Sequence, residues 1–197
     1  MRTVDLTTGS RDLLGPPCRD CTWWQRPDPF CRVDRRAWER AVELETGLFG
    51  KVALDDQAVL GSVHAAPSTL VPHARRLPAG PAGPDAWLMT CAFFYDDEFL
   101  HGFQWLLQDL EAALKLRQAT ALEAFALRPT GVGDRFRGYL HERNLFNHEV
   151  LEGSGFRPIR SRGDVTLYRL DLATLIAVPR WAGLDVRIEK HAAAQPI

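Results

Sequence analysis

No apolar run in the 197 residues approaches the roughly 20 needed to cross a bilayer, so no membrane partner is expected. The opening residues, Met1-Arg-Thr-Val-Asp-Leu-Thr-Thr, are polar and lack the apolar core of a secretion signal, which favours a cytoplasmic protein. Charge of one sign is missing as well. The net charge is −1, so there is no broad basic field, and binding of nucleic acid through counterion release is not expected. Basic residues cluster only locally, as at His73 to Arg76, Arg135 to Arg137 and Arg157 to Arg162, and clusters this small are more often solvated loop charge. Cysteine is scarce: Cys18, Cys21, Cys31 and Cys91 are too few and too unevenly placed for a disulfide framework. Cys18-Arg-Asp-Cys21 is half a zinc site without a second pair after it, so no metal is expected, although Cys31 and a histidine could complete one. There is no phosphate-binding P-loop, no dinucleotide fingerprint, no nucleophile elbow, no internal repeat and no low-complexity stretch.

What is present is ordinary globular composition, 46% hydrophobic and 25% charged, enough for one buried core and one domain by default. Arg2 to Leu6 alternates weakly, like an edge strand, and Ser10 is placed to cap a short helix broken by Gly15-Pro-Pro17. From Asp34 to Gly47, apolar Ala37, Trp38, Ala41, Val42, Leu44 and Leu48 recur at helical steps, with Glu39, Arg40 and Glu43 on the other side. Asp34 is the expected N-cap and Gly47 the stop. Lys51–Leu54 and Val59–Val63 flank Asp55-Asp-Gln57 as a hairpin. A loop rich in proline and glycine, Pro78 to Pro84, follows, and a loop of that kind in a compact domain is functional or a mobile cover.

The segment Trp87 to Leu127 is the most informative. An apolar strand to Tyr95 leads through Asp96-Asp-Glu98 into a helix whose Phe99, Leu100, Phe103, Leu106, Leu107, Leu110 and Leu114 form one stripe, and Ala119–Leu127 is a second strand. A helix N-terminus after a strand offers free N–H groups, a natural seat for a ligand phosphate. A helix over Leu140–Glu152 and a hairpin, Phe156–Ile159 with Thr166–Leu172, complete a mixed α/β sheet. Residues 1–172 are expected to be the domain and 173–197 a C-terminal extension.

This order resembles the GCN5-related N-acetyltransferase (GNAT) fold, and within it a group of actinobacterial GNAT-like proteins. The likeness rests on Cys18-Arg-Asp-Cys21-Thr-Trp23-Trp24, Gly47-Leu-Phe-Gly50-Lys51, Ala66-Pro67, Val71-Pro72-His73-Ala74, Gly83-Pro84-Asp85-Ala86, Glu123-Ala124-Phe125 and Gly155-Phe156. The resemblance implies a single-domain acyl-CoA N-acyltransferase fold. Its strand equivalent to Met89–Phe94, with Phe93 and Phe94, would splay from its neighbour and offer backbone amides to the pantetheine arm of acetyl-CoA. The pyrophosphate turn, Arg/Gln-x-x-Gly-x-Gly/Ala in the family, falls on Phe99-Leu100-His101-Gly102-Phe103-Gln104. Gly102 is kept, whereas Phe99 and Gln104 depart from the pattern, and the Gln104 side chain can crowd a phosphate. Asn144 matches an asparagine that contacts the cofactor, Glu152 matches the family's glutamate, and Leu151 replaces a tyrosine that protonates the departing thiolate.

Direct transfer to a primary amine needs a base, or a water chain, and polarisation of the thioester. Glu123, a carboxylate in mid-strand, is the first candidate base or ammonium anchor, with a structural pairing to an arginine or hydroxyl as the equal alternative. His64 is the second candidate. The expected function is an acyl-CoA-dependent N-acyltransferase acting on a small-molecule or peptide amine, with a homodimer through terminal strands as an option. The alternative is a degenerate GNAT fold that no longer uses acetyl-CoA and serves as a binding protein or catalyses other chemistry in the same cleft.

Overall fold

The computed structural model describes residues 2–56, 58–94, 100–127 and 145–175, with backbone alone at residues 16, 17, 100 and 101. In chain order these form β1 (Arg2–Asp5), α1 (Pro16–Arg19), α2 (Arg35–Thr46), β2 (Gly50–Asp55), β3 (Ala58–Pro67) and β4 (Ala86–Phe94). They continue with α3 (Leu100–Leu116), β5 (Ala121–Leu127), β6 (Phe146–Asn147), α4 (His148–Gly153), β7 (Arg157–Arg162) and β8 (Val165–Asp171). Short 3-10 turns cover Arg11–Leu13, Ser68–Leu70 and Pro72–Arg75. The strands make one mixed sheet in the order β1-β2-β3-β4-β5-β8-β7. The β4–β5 pair is parallel, joined through α3, while the other neighbours along that path are antiparallel.

Helix α2 begins and ends where its caps dictate. Asp34 Oδ1 accepts from the N–H groups of Arg36 (2.9 Å) and Ala37 (3.2 Å), and Gly47 closes the helix at φ 82°. Its buried stripe is rotated from the expected one. Ala37, Ala41 and Leu44 face solvent, Leu44 at 91% exposure, whereas Arg35, Glu39 and Val42 are buried. Glu39 is inside because two arginines meet it, so charge pairing outweighed hydropathy in setting this face.

Helix α3 matches its stripe: Phe103, Leu106, Leu107, Leu110 and Leu114 join Trp87, Met89, Leu122, Ala124 and Tyr168 in one core. A second core on the opposite face contains Val42, Phe49, Val52, Leu88, Phe125 and Leu167 beneath α2 and the turns after β3. Ser10 does not cap a helix. Its hydroxyl donates to Asp5 O (2.7 Å) and accepts from Thr7 N (2.9 Å), and a 3-10 turn follows. The helix expected over Leu140–Glu152 is described only as α4, preceded by the two-residue β6; residues 140–144 lie outside the described residues, as does nearly all of the 173–197 extension. The 78–84 loop is tied down rather than free. Ser68 Oγ donates to Gly83 O (2.6 Å), Gly83 N donates to Glu123 (2.7 Å), and Arg160 donates to the carbonyls of Ala79 (2.7 Å) and Pro81.

Two register features position everything that follows. Between β3 and β4 the pairing jumps from His64↔Cys91 to Ala65↔Met89, making Thr90 an extra residue in β4, a bulge. Between β4 and β5 the ladder ends at Met89↔Ala124. Gly50 marks a third constraint: with φ 153°, a Cβ there would collide with the Val63 carbonyl. Gly50→Ala is therefore expected to cost about 2–3 kcal/mol, measured as a lower urea midpoint at unchanged m-value. A change below about 0.5 kcal/mol would show that β2 and β3 are free to separate there.

Candidate functional site

Past Met89, strand β4 leaves β5. On β5, β8 occupies one edge along all seven residues, so β4 and β6 share the other; Ala126 and Leu127 pair with Phe146 and Asn147 of β6. The result is a wedge, narrow at Ala86–Met89 and open beyond, with β6 on its β5 wall. Exposure follows the geometry. Ala86 to Thr90 are buried, whereas Cys91, Ala92, Phe93 and Phe94 keep some surface, although β4 is a central strand.

On the α3 side, the wedge is aromatic. Phe94 meets Phe103 edge-on at 6.0 Å, and Phe103 lies 6.2 Å from Phe146. Of the predicted phosphate-seat residues, the backbone of Leu100 and His101 opens α3, Gly102 and Phe103 are buried, and Gln104 is exposed. Phe103 and Gln104 line a cavity of about 280 Å³ with Glu149, Val150, Gly153 and Ser154 of α4 and the turn after it. Asn144, Phe99 and the 96–98 acidic turn lie outside the described residues. Leu151 is fully buried in the α3-side core, while the neighbouring Glu152 accepts from the Tyr168 hydroxyl at 2.7 Å.

The two candidate bases sit on the opposite face of the sheet. Glu123 is fully buried, and both its oxygens are committed: Arg169 Nη1 donates to one at 2.8 Å and Gly83 N to the other at 2.7 Å. Arg169 Nη2 also donates to Asp85 (2.8 Å), and that hydrogen bond holds the Asp85 carboxyl below its ordinary range. This is the arginine pairing offered as the alternative role for Glu123. His64 is 2% exposed, between Arg35 Nη2 (3.4 Å from Nδ1) and Ser62 Oγ (3.3 Å from Nε2). Because a guanidinium only donates, Nδ1 must accept, and the proton rests on Nε2, facing Ser62. Burial, with Arg35 as the second cause, lowers the His64 pKa to about 3, so the ring is neutral and a weak base at pH 7.

Sequence reasoning missed the network beside His64. Glu39 receives Arg11 Nε at 2.6 Å and Arg35 Nε at 2.8 Å, and Arg11 Nη2 continues to Arg19 O (2.6 Å) and Asp20 Oδ1 (3.2 Å). Arg35 also lies 4.6 Å over the Trp38 ring. The Arg35–Glu39 spacing of four residues was a legible signal; the partner 28 residues away was not. Cys91, the cross-strand partner of His64, is coupled electrostatically to Cys18, Cys21 and Arg35. The side chains packed round the Cys91 thiol push it up to about 12, so it remains protonated. Among the described residues no group of three or more His, Cys, Asp or Glu side chains could hold a metal ion.

No protein-family model and no curated protein matches the chain. Solved structures do. An aminoglycoside 6'-acetyltransferase type Ii aligns over 91% of this chain and 99% of its own, with 15% identity and a TM-score of 0.52. The aminoglycoside 6'-N-acetyltransferase from Enterococcus faecium gives the same coverage and identity at a TM-score of 0.50. A GNAT-like decarboxylase in complex with isobutyryl-CoA aligns over 87% of this chain and 100% of its own at 19% identity and a TM-score of 0.49. The chain has the GNAT acyl-CoA N-acyltransferase fold.

Buried neutral His64 has a measurable signature. Its folded pKa lies below the ordinary histidine value of 6.5, so the unfolded chain binds the extra proton. The stability tied to its neutral form is present above pH 6.5 and is lost as pH falls toward 3. Over that window, urea unfolding of the native protein is expected to lose about 1.4 kcal/mol per pH unit more than His64→Gln. Equal slopes for the two proteins would show that His64 is not held neutral.

Proposed function

We propose that the chain is an acyl-CoA-dependent N-acyltransferase that moves an acyl group directly to a primary amine. The observation that carries this reading is the wedge. A central strand is bulged at Thr90, released from its parallel neighbour after Met89 and only partly buried from Cys91 to Phe94. A slot of that shape suits a slender chain laid beside strand backbone, and the aromatic Phe94, Phe103 and Phe146 suit its apolar part. In this reading Gly102, Phe103 and the start of α3 hold the pyrophosphate, with the α4 groove beside it, and Asn144 is a further cofactor contact by its match to the family's asparagine alone. The acyl-CoA supplies an activated thioester, so transfer forms a C–N bond, breaks the C–S bond and releases CoA and a proton.

The protein's own contribution is positional. Amine and thioester enter from opposite faces of the sheet and meet at the bulge, which replaces a bimolecular encounter by a fixed approach. His64 is a weak base, and both oxygens of Glu123 are engaged. The proton lost by the amine accordingly passes to water at the wedge mouth, with His64 and Glu123 as framing residues. Leu151 has no proton to offer the departing sulfur, and a thiolate leaves without one.

The competing reading, a GNAT fold that has given up acetyl-CoA for binding or other chemistry, draws on β6 at the wedge mouth and on Leu151. Calorimetry with acetyl-CoA and CoA separates the two. Micromolar binding is expected, together with thiol release when primary amines are added. A folded protein that binds neither at millimolar concentration refutes the acyltransferase. Gln104→Gly is expected to tighten CoA binding about three- to tenfold, because the exposed side chain borders the α3–α4 cavity that the phosphates would approach. Unchanged affinity would remove Gln104 as the obstacle.

A further inference from the structure

Within the cluster around Glu39 the buried charges do not sum to zero. Arg11 and Arg35, at 7% and 9% exposure, share one carboxylate, Glu39, at 0%. The remaining charge of Arg11 is answered at the surface by Asp20, whose side chain is 72% exposed. Arg35 meets no second acid among the described residues. Its Nε serves Glu39, its Nη2 rests against the neutral ring of His64, its flat face covers Trp38, and its Nη1, which is not among the buried unpaired atoms and so keeps some surface, donates to no described residue. A guanidinium largely withdrawn from water and half-compensated is costly, and its one accessible edge is where a counter-charge can arrive.

The position of that charge is informative. Arg35 touches His64, and His64 is the cross-strand partner of Cys91, the first wedge residue beyond the bulge. Its positive field is felt at His64, Cys18 and Cys91. A second unused donor stands near the opposite wall. Trp24, 3% exposed, is stacked over Phe125 of β5, one residue past the end of the β4–β5 ladder, and its Nε1–H is buried without a partner. Next to it, Gln25 is 4% exposed, and its buried Oε1 accepts nothing. Buried donors and acceptors left unmet in a protein are ordinarily met by a ligand or water.

We propose that Arg35 is the specificity-determining residue of the acceptor site and that the acceptor carries a carboxylate beside its amine, as amino acids do. The guanidinium fork suits a carboxylate, and the anion would supply the charge that Glu39 must otherwise divide between two arginines. A polycationic amine meets the wrong sign of field here, in contrast to what the name of an aminoglycoside acetyltransferase implies for that protein's acceptor. The proposal rests on the acyltransferase reading, because it assigns the α2 side of the wedge to the amine.

The test uses amines matched except for the carboxylate, phenylalanine against phenethylamine and alanine against ethylamine, with acetyl-CoA and the full-length protein. Release of thiol is expected to show kcat/KM at least about tenfold higher for the carboxylate member of each pair. Arg35→Gln, which leaves Glu39 paired with Arg11, should reduce that ratio by about tenfold or more, mainly through KM. Arg35→Lys, which keeps the charge without the fork, should reduce it less and covers the case in which the glutamine variant does not fold. Preference for the amine lacking a carboxylate, preference for kanamycin over both, or an unchanged ratio in the variants overturns the proposal. Equal losses for both members of a pair would mark Arg35 as structural and overturn it as well. Equilibrium dialysis of labelled phenylalanine without CoA separates the two ideas. Binding lost in Arg35→Gln supports the carboxylate site even if acetyl-CoA fails to bind. Absent or unaltered binding rejects the site even if acetyl-CoA binds.

Discussion

The parting of β4 from β5 is the constraint on which the rest of the molecule depends. A parallel pair has evenly spaced, slanted hydrogen bonds, and one extra residue in either strand puts the next bonds out of step. Thr90 is that residue. Before it, four cross-strand pairs hold β4 on β5; after it, β4 continues on β3 alone, through His64↔Cys91 to Gly61↔Phe94. The vacated edge of β5 is met by β6, which pairs with Ala126 and Leu127. A slot through the middle of a sheet follows from a one-residue irregularity and a two-residue strand.

The two faces of the sheet present different chemistry to that slot. Toward α3 the lining is apolar and aromatic, with Phe94, Phe103 and Phe146 in contact distance. The buried Lys51 is held away from it by Asp5 (2.5 Å) and Asp109 (3.0 Å). Toward α2 the lining is polar, with Glu39, Arg35, His64 and Ser62 linked in series. An apolar, extended ligand and a charged one could thus be brought to a common point from opposite sides without sharing a pocket. The solved-structure matches fix the fold and leave this division to the residues.

The strand–helix–strand centre was legible because its signals are local. The α3 stripe recurs at helical steps, and Asp34 and Gly47 terminate α2 through bonds to residues two to four positions away. Where sequence reasoning failed, the deciding partner was remote. Glu39 looked like a solvated charge because Arg11 lies 28 residues earlier, and Ser10 preferred Asp5 O over capping. β6 has too few residues for any periodicity, and its partner lies 20 positions back in β5. Glu123 shows both limits. Its place in an apolar strand announced that a partner must exist, and the two candidate roles differed only in whether an arginine 46 residues on would reach it.

That arginine also explains why the sheet opens at one end only. At the narrow end of the wedge, Glu123 binds Gly83 N and Arg169, Arg169 binds Asp85, and Thr120 donates to the Asp85 carbonyl at 3.0 Å. These contacts tie the entry to β4, the start of β5 and the body of β8 across three neighbouring strands. Breaking either bond to Glu123 leaves a buried carboxylate with an unmet oxygen, which costs more than the bond itself contributes. The strut therefore resists propagation of the split toward Ala86, while the bulge at Thr90 prevents repair in the other direction. A cleft bounded by a charged strut at one end and an interrupted register at the other has its shape set by the protein's own contacts, which is the preorganisation that the proposed direct transfer calls for.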